Sequence, residues 1–246
     1  MDTKKIIVAM AILLLITPLV SCKGKPVKIA SANSKKLVLV LCDFSSSIDS
    51  AVTRENVDKN IHDLFLHISA YPGTEYYFYS IGNSLGRHFA HDSILSDETL
   101  NNKEIGGNIQ LLNQKRASLQ SDSSCIIDCL SAIADKIALS QHDPRYTDIY
   151  LVLLSDMMEA CPRGRIFINL EKENRYDQAM AWLKNWAPVK TYYADLPKLK
   201  INIVFSTNKK NDYEFLKSFW QLYFKKAGFP GDVSFGMEIS ASNFLP

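Results

Sequence analysis

The residues whose spacing carries most chemistry are Asp43-Phe-Ser45-Ser-Ser47, one carboxylate and two hydroxyls at alternate positions directly after the apolar run Leu37 to Cys42. All three donors are oxygens, with no thiolate or imidazole among them, and such a set suits a hard divalent cation, Mg²⁺ before Zn²⁺. The plain alternative is an Asx or serine turn that caps the next helix. Six consecutive apolar residues without alternation describe a strand covered on both faces, as in a central parallel sheet. Asp43 then sits at the carboxyl end of that strand, the edge at which open α/β sheets form binding crevices.

This pentapeptide, placed after an apolar strand, resembles the Asp-x-Ser-x-Ser signature of von Willebrand factor A (vWA) domains, which that family uses in a metal-ion-dependent adhesion site (MIDAS). Two later stretches extend the resemblance. Ser124-Cys-Ile-Ile-Asp-Cys-Leu130 has the spacing of the family's Thr-x-Ile-x-x-Ala-Leu, with Ser where Thr is usual. Ser124 takes the ligand position, Ser123 competes for it, and a simple helix cap is the alternative. Ile149 to Ser155 is a second apolar run ending in an aspartate, Asp156, at the family's third element, although Met157 follows where Gly is common. Glu159 is close enough in sequence to face the same crevice but is not assigned a bond to metal.

The resemblance implies a doubly wound α/β domain, with a mostly parallel central sheet and helices on both faces. It also implies a metal site of Asp43, Ser45, Ser47, Ser124 and Asp156 holding Mg²⁺ or Mn²⁺. Family members bind some ligands by letting an acidic side chain of a protein partner replace a water on the ion, and the resemblance implies the same here, where five protein oxygens with only two negative charges would leave the ion electrophilic. Two other functions stay open: a metal-free scaffold subunit of an envelope assembly, and a metal-dependent hydrolase in which a serine or a metal-activated water attacks. Against the enzyme, the serines lie in no Gly-x-Ser-x-Gly elbow, and His62, His67, His88, His91 and His142 form no His-Glu-x-x-His. The expectation is a binding protein and not an enzyme.

The elements that must position these residues follow from periodicity. Val57, Ile61, Leu64, Phe65 and Ile68 recur at helical spacing and predict a helix over roughly 50–70, stopped by Pro72-Gly73. The aromatic-rich segment Thr74 to Ile81 predicts a strand, completing a βαβ unit. Residues 82–122 read poorly, with a short strand near Arg87 to Ala90 and a helix around Asn108 to Leu119. Ile126, Leu130, Ile133 and Ile137 line the next helix, with Ser and Asp before it as natural N-caps. Tyr176 to Trp186 predicts a helix ending before Pro188, Leu199 to Phe205 a strand, and Asp212 to Lys226 a helix capped by Gly228. Val233 to Ile239 predicts an edge strand.

Residues 1–21 combine Lys4 and Lys5 with the apolar stretch Ile6 to Val20, the pattern of a secretory signal and not of a membrane span. Leu19-Val-Ser-Cys22 resembles a bacterial lipobox, which implies lipid modification of Cys22, a tether over 22–34 and a domain over 35–246. The expected location is the bacterial cell envelope, held to a membrane through the N-terminal lipid. With Lys4, Lys5 and Asp2 removed, a formal charge of +2 becomes +1, which gives no electrostatic basis for nucleic-acid binding. Hydrophobic content of 47% over 246 residues is ample for a core. Cys42, Cys125, Cys129 and Cys161 have no zinc-like spacing. One disulfide is permitted, but buried thiols acting as small hydrophobes are the favoured reading.

Overall fold

The computed structural model describes residues 35–45, 51–82, 85, 88–93, 102–119, 121, 123–159, 161, 175–188, 193–206, 210–229, 231 and 233–239. Cys22, the 1–21 leader and the 22–34 tether therefore lie outside the described residues, as does Ser47. The strands are β1 (Lys35–Asp43), β2 (Thr74–Ile81), β3 (His88–Ser93), β4 (Tyr146–Ser155), β5 (Leu199–Phe205) and β6 (Val233–Gly236). The helices are α1 (Ala51–Ser69), α2 (Asn102–Leu119), α3 (Ile126–Gln141), α4 (Arg175–Asn185) and α5 (Lys210–Lys226).

Alternation along β1 decides the layering, because a strand sends successive side chains to opposite faces of its sheet. Leu37, Leu39 and Leu41 enter one apolar cluster, with Ile126, Leu130, Ile133 and Ile137 of α3, Leu183 of α4 and Phe219, Trp220 and Phe224 of α5. Val38, Val40 and Cys42 enter the other, with Val57, Ile61, Leu64, Phe65 and Ile68 of α1, and Ile109 of α2 packs against it. Both faces of β1 are thus covered, which is why its sequence shows no polar alternation.

The six strands run in the order β3-β2-β1-β4-β5-β6. β1 pairs in parallel with both β2 and β4, β4 with β5, and β5 with β6. Among the described residues only β3 is antiparallel, at one edge. This is the expected doubly wound α/β sheet, five strands of it parallel. Chain direction reverses across the β1/β4 pair: from β1 the chain moves outward to β2, and from β4 it moves outward the other way to β5 and β6. A crevice at the carboxyl ends of β1 and β4 is the geometric result.

The terminators behave as expected. Gly73 (φ 72°) and Gly228 (φ 88°) adopt left-handed backbone that a glycine tolerates. At the second, the Phe229 N–H donates to the Phe224 carbonyl and closes α5. Two helices are longer than periodicity suggests. α2 begins at Asn102 rather than Asn108, across Gly106 and Gly107, which weaken the helical pattern. α5 begins at Lys210.

One expectation is corrected: Cys125 and Cys161 form a disulfide across 36 residues, while Cys42 and Cys129 are buried and stay outside it. The bond joins the segment before α3 to the segment after β4, which sequence spacing cannot reveal.

The layering predicts how substitutions divide. Leu39→Ala, at a residue 1% exposed on the central strand, should lower unfolding free energy by about 2–5 kcal/mol in a urea titration. Leu139→Ala, on the outer face of α3 at 80% exposure, should change it by less than about 0.5 kcal/mol.

Candidate metal centre

β1 delivers Asp43 to its carboxyl end fully buried. By alternation the side chain shares the face of Leu39 and Leu41, the face that α3 covers. Pairing of Cys42 with Leu154 brings the end of β4 alongside, so that Ser155 is the next neighbour of Asp43 on the same face. The Ser155 hydroxyl donates to Asp43 Oδ2 at 2.8 Å. From the entrance of α3, the Ser124 hydroxyl lies 3.0 Å from both Oδ1 and Oδ2. The Ser45 N–H closes the loop after β1 by donating to Oδ1 at 2.9 Å. Three separate stretches thus meet on one carboxylate.

Backbone contacts hold the stretches in place. Ser45 bridges to Ser121, three residues before Ser124. The Cys125 N–H donates to the Gly82 carbonyl at 2.9 Å, tying the entrance of α3 to the end of β2. Ser123, the competitor in the sequence, has its N–H 3.3 Å from the Ser121 hydroxyl, whereas Ser124 is the residue turned onto Asp43.

Asp156 lies at the same edge, 8% exposed, and its Oδ1 accepts the Met158 N–H at 3.0 Å in an Asx turn. Of the expected oxygens, Asp43, Ser45 and Ser124 are therefore joined by hydrogen bonds, and Asp156 follows directly on the strand that supplies Ser155. Ser155 was not singled out in the sequence. The signal existed: once two apolar strands ending in Asp43 and in Ser155-Asp156 are paired in parallel, one of the last two residues must face Asp43.

Met157 accounts for the departure from Gly. Its φ is 60°, the left-handed conformation that Gly adopts easily and Met rarely. Three contacts hold it there: its N–H donates to the Ser155 hydroxyl at 2.8 Å, its carbonyl accepts the Trp220 indole N–H at 3.1 Å, and its side chain is fully buried in the core beneath α5.

Glu159 turns one carboxyl oxygen to the start of α3. Its Oε2 accepts the Ile127 N–H at 3.0 Å, and the Ile126 N–H also donates to it. Cys125, at the N-cap position, makes no side-chain cap. The cap expected from neighbouring Ser and Asp thus comes from a carboxyl oxygen 32 residues downstream. At the same rim, Ser206 follows β5, donates its N–H to the Ser155 carbonyl at 2.9 Å, and buries a hydroxyl with no hydrogen-bond partner among the described residues.

Burial sets the electrostatics. Loss of hydration pushes the Asp43 pKa up, opposed by the Ser45 N–H and the serine hydroxyls, all of them neutral donors. Burial likewise pushes Glu159 up to about 8, opposed by the two α3 amides, with Asp128 and Asp43 adding repulsion. A second group of ligand atoms, from Cys125, Asp128 and Cys161, falls within 4.8 Å. Its two sulfurs are bonded to each other, so they carry no thiolate charge for a metal.

No family model matches the sequence, and no curated protein does. Solved structures share the fold. A variant of the PilB minor pilin from Streptococcus sanguinis superposes with a TM-score of 0.52 at 11% identity, over 82% of this chain and 57% of the pilin. A manganese-loaded TRAP protein from Plasmodium vivax gives 0.41 at 12% identity, over 76% of this chain and 63% of TRAP. A von Willebrand factor type A structure from Catenulispora acidiphila gives 0.41 at 9% identity, over 79% of this chain and 43% of the other. The pilin's score, at 11% identity, marks a likeness of fold alone. The chain spans 57% of the length of the pilin it resembles.

The raised pKa of Glu159 fixes the sign of a pH effect. Between its ordinary value of 4.5 and about 8, the folded state holds a proton that the unfolded state has released, so stability falls as pH rises through this window. Glu159→Gln keeps the carbonyl acceptor for α3 and removes the titration. Its loss of unfolding free energy between about pH 5 and about pH 8 should be visibly smaller than that of the wild type in matched urea titrations.

Proposed function

We propose that this chain is a lipid-anchored envelope protein whose vWA-like domain binds a protein partner through a Mg²⁺-type site at the carboxyl edge of β1 and β4. One observation carries the reading: a fully buried carboxylate, Asp43, is the meeting point of three chain segments, and the donors that reach it among the described residues are neutral. A buried anion without a positive partner is costly, and a hard cation at its rim would offset that cost.

The donor set fits such an ion. Ser45, Ser124 and Asp156 offer hard oxygens, and Ser47 follows Ser45 by two positions in the sequence. The hydroxyl proton of Ser124 is directed at Asp43, which leaves that oxygen's lone pairs for a cation. Asp43, Ser45, Ser47, Ser124 and Asp156 are the residues that would hold Mg²⁺ or Mn²⁺. When bound, the ion supplies a positive centre that attracts an acidic side chain of a partner. Within the chain, Asp43 orients the serine hydroxyls and the buried floor beneath them excludes water. The serine hydroxyls orient this carboxylate and lie in no Gly-x-Ser-x-Gly elbow, which supports binding over turnover.

Export is the second half of the proposal. Leu19-Val-Ser-Cys22 supports lipid attachment, and the Cys125–Cys161 disulfide suits an oxidising compartment. Among the described residues no helix is long and apolar enough to cross a membrane. Labelled palmitate should enter the wild type in a bacterial host and should not enter Cys22→Ala; equal labelling would refute the anchor.

A metal-free scaffold is the second reading, and one observation favours it: both Asp43 oxygens already accept hydrogen bonds. A thermal-shift series separates the two. With Mn²⁺ or Mg²⁺ at a hundred times Kd, an occupied site adds about 2.7 kcal/mol to stability, read as a rise in Tm that Asp43→Ala abolishes. A wild-type Tm indifferent to both ions at millimolar levels would leave the scaffold.

A further inference from the structure

The segment carrying Ser124 and the segment carrying Asp156 are joined both covalently and by hydrogen bonds, outside the cluster of oxygens itself. Covalently, Cys125, the residue after Ser124, is bonded to Cys161, five residues beyond Asp156. Non-covalently, Glu159, three residues beyond Asp156, accepts the Ile127 N–H three residues beyond Ser124. Both ties are buried: Cys125 is 1% exposed, Cys161 3% and Glu159 2%.

Each tie compensates for something the local sequence lacks. Helix α3 has no side-chain cap of its own, so its first turn, and Ser124 with it, is fixed by Glu159 from the other segment. The segment after Asp156 leaves the sheet through the left-handed Met157, and beyond Glu159 the cystine returns it to α3. Without these ties, Ser124 would be held mainly by its hydrogen bond to Asp43 and by the Cys125 N–H to Gly82 contact.

We infer that the Cys125–Cys161 bond and Glu159 are positioning elements of the cation site, a clamp that sets the Ser124 segment against the Asp156 segment. The inference rests on the metal reading of Asp43 given above. Its chemical content is preorganisation: oxygens held at their working separation do not have to be ordered when the ion binds, and groups that orient ligands from behind commonly govern metal affinity. It follows that cation binding depends on the oxidation state of this cystine, since a dithiol that takes its two sulfurs to thiols, itself becoming a disulfide, removes the covalent half of the clamp.

The experiment is a Mn²⁺ titration of the full chain, reading free Mn²⁺ by electron paramagnetic resonance, with unfolding followed separately by circular dichroism. The proteins are the wild type, the wild type reduced by a dithiol, Cys125→Ser/Cys161→Ser, Glu159→Ala and Glu159→Gln. The reduced protein, the double variant and Glu159→Ala should bind Mn²⁺ about tenfold more weakly or worse. Glu159→Gln, which preserves an acceptor for the Ile127 N–H, should retain affinity within a few-fold of wild type. Lowered Tm with unchanged Mn²⁺ affinity in the folded variants would make both ties merely structural and overturn the inference, while wild-type binding would leave the metal reading standing. Absence of Mn²⁺ binding by the wild type overturns both. Should the double variant fail to fold, Glu159→Ala, with its cystine intact, decides alone: affinity equal to wild type refutes the clamp.

Discussion

The structure depends on a single burial, that of the Asp43 carboxylate at the end of the central strand. An ionised carboxylate removed from water is tolerated only when its oxygens find donors, and here each donor is recruited from a different part of the chain. That requirement constrains far more than the site. It sets the depth to which the loop after β1 folds back, the height at which α3 begins, and the identity of the last residue of β4. A hydrophobic residue in place of Asp43 would satisfy the core but leave the hydroxyls of Ser124 and Ser155 without their acceptor. The polar cluster and the apolar sheet beneath it are therefore one packing problem.

The segment after β4 shows how such a problem is solved when local preferences disagree. Met is a poor choice for a φ of 60°, yet its buried side chain packs in the core under α5 while its backbone serves Ser155 and Trp220. A glycine would remove the backbone conflict and also the side chain that fills the space. Packing and hydrogen bonding together outweigh a torsional penalty of about 1–2 kcal/mol. Asp156 is aimed by the result.

Much of this architecture is legible in the chain. Apolar runs without alternation mark β1 and β4 as central strands, and the aspartates that end them point to the carboxyl edge, because burial on both faces leaves a strong sequence signature. Thr74 to Ile81 and Leu199 to Phe205 are readable to the residue, since aromatic or branched runs bounded by turns have few alternative structures. Residues 82–122 are harder. Two glycines inside α2 mute its helical pattern, and β3, an edge strand, takes its place by pairing with β2 rather than by its own periodicity. Within the site, Asp43 and Ser124 stand out by motif. Ser155 and Glu159 do not, because their roles arise from strand register and from a cap supplied across 32 residues, and neither is encoded in neighbouring positions. The partnership of Cys125 with Cys161 is invisible for the same reason, as Cys129 offers an equally plausible thiol in sequence.

That partnership also acts on molecules that have not yet folded. Closing a ring of this span, which holds all of α3 and β4, removes conformational freedom from the disordered ensemble worth on the order of 4 kcal/mol in the chain-entropy view. A helix and the strand on which it packs are thus kept in each other's neighbourhood before either is formed. A peptide bond severed at the exposed Pro144 or Arg145 would leave two fragments still covalently joined. Such a ring keeps the two halves within reach of each other for reassembly.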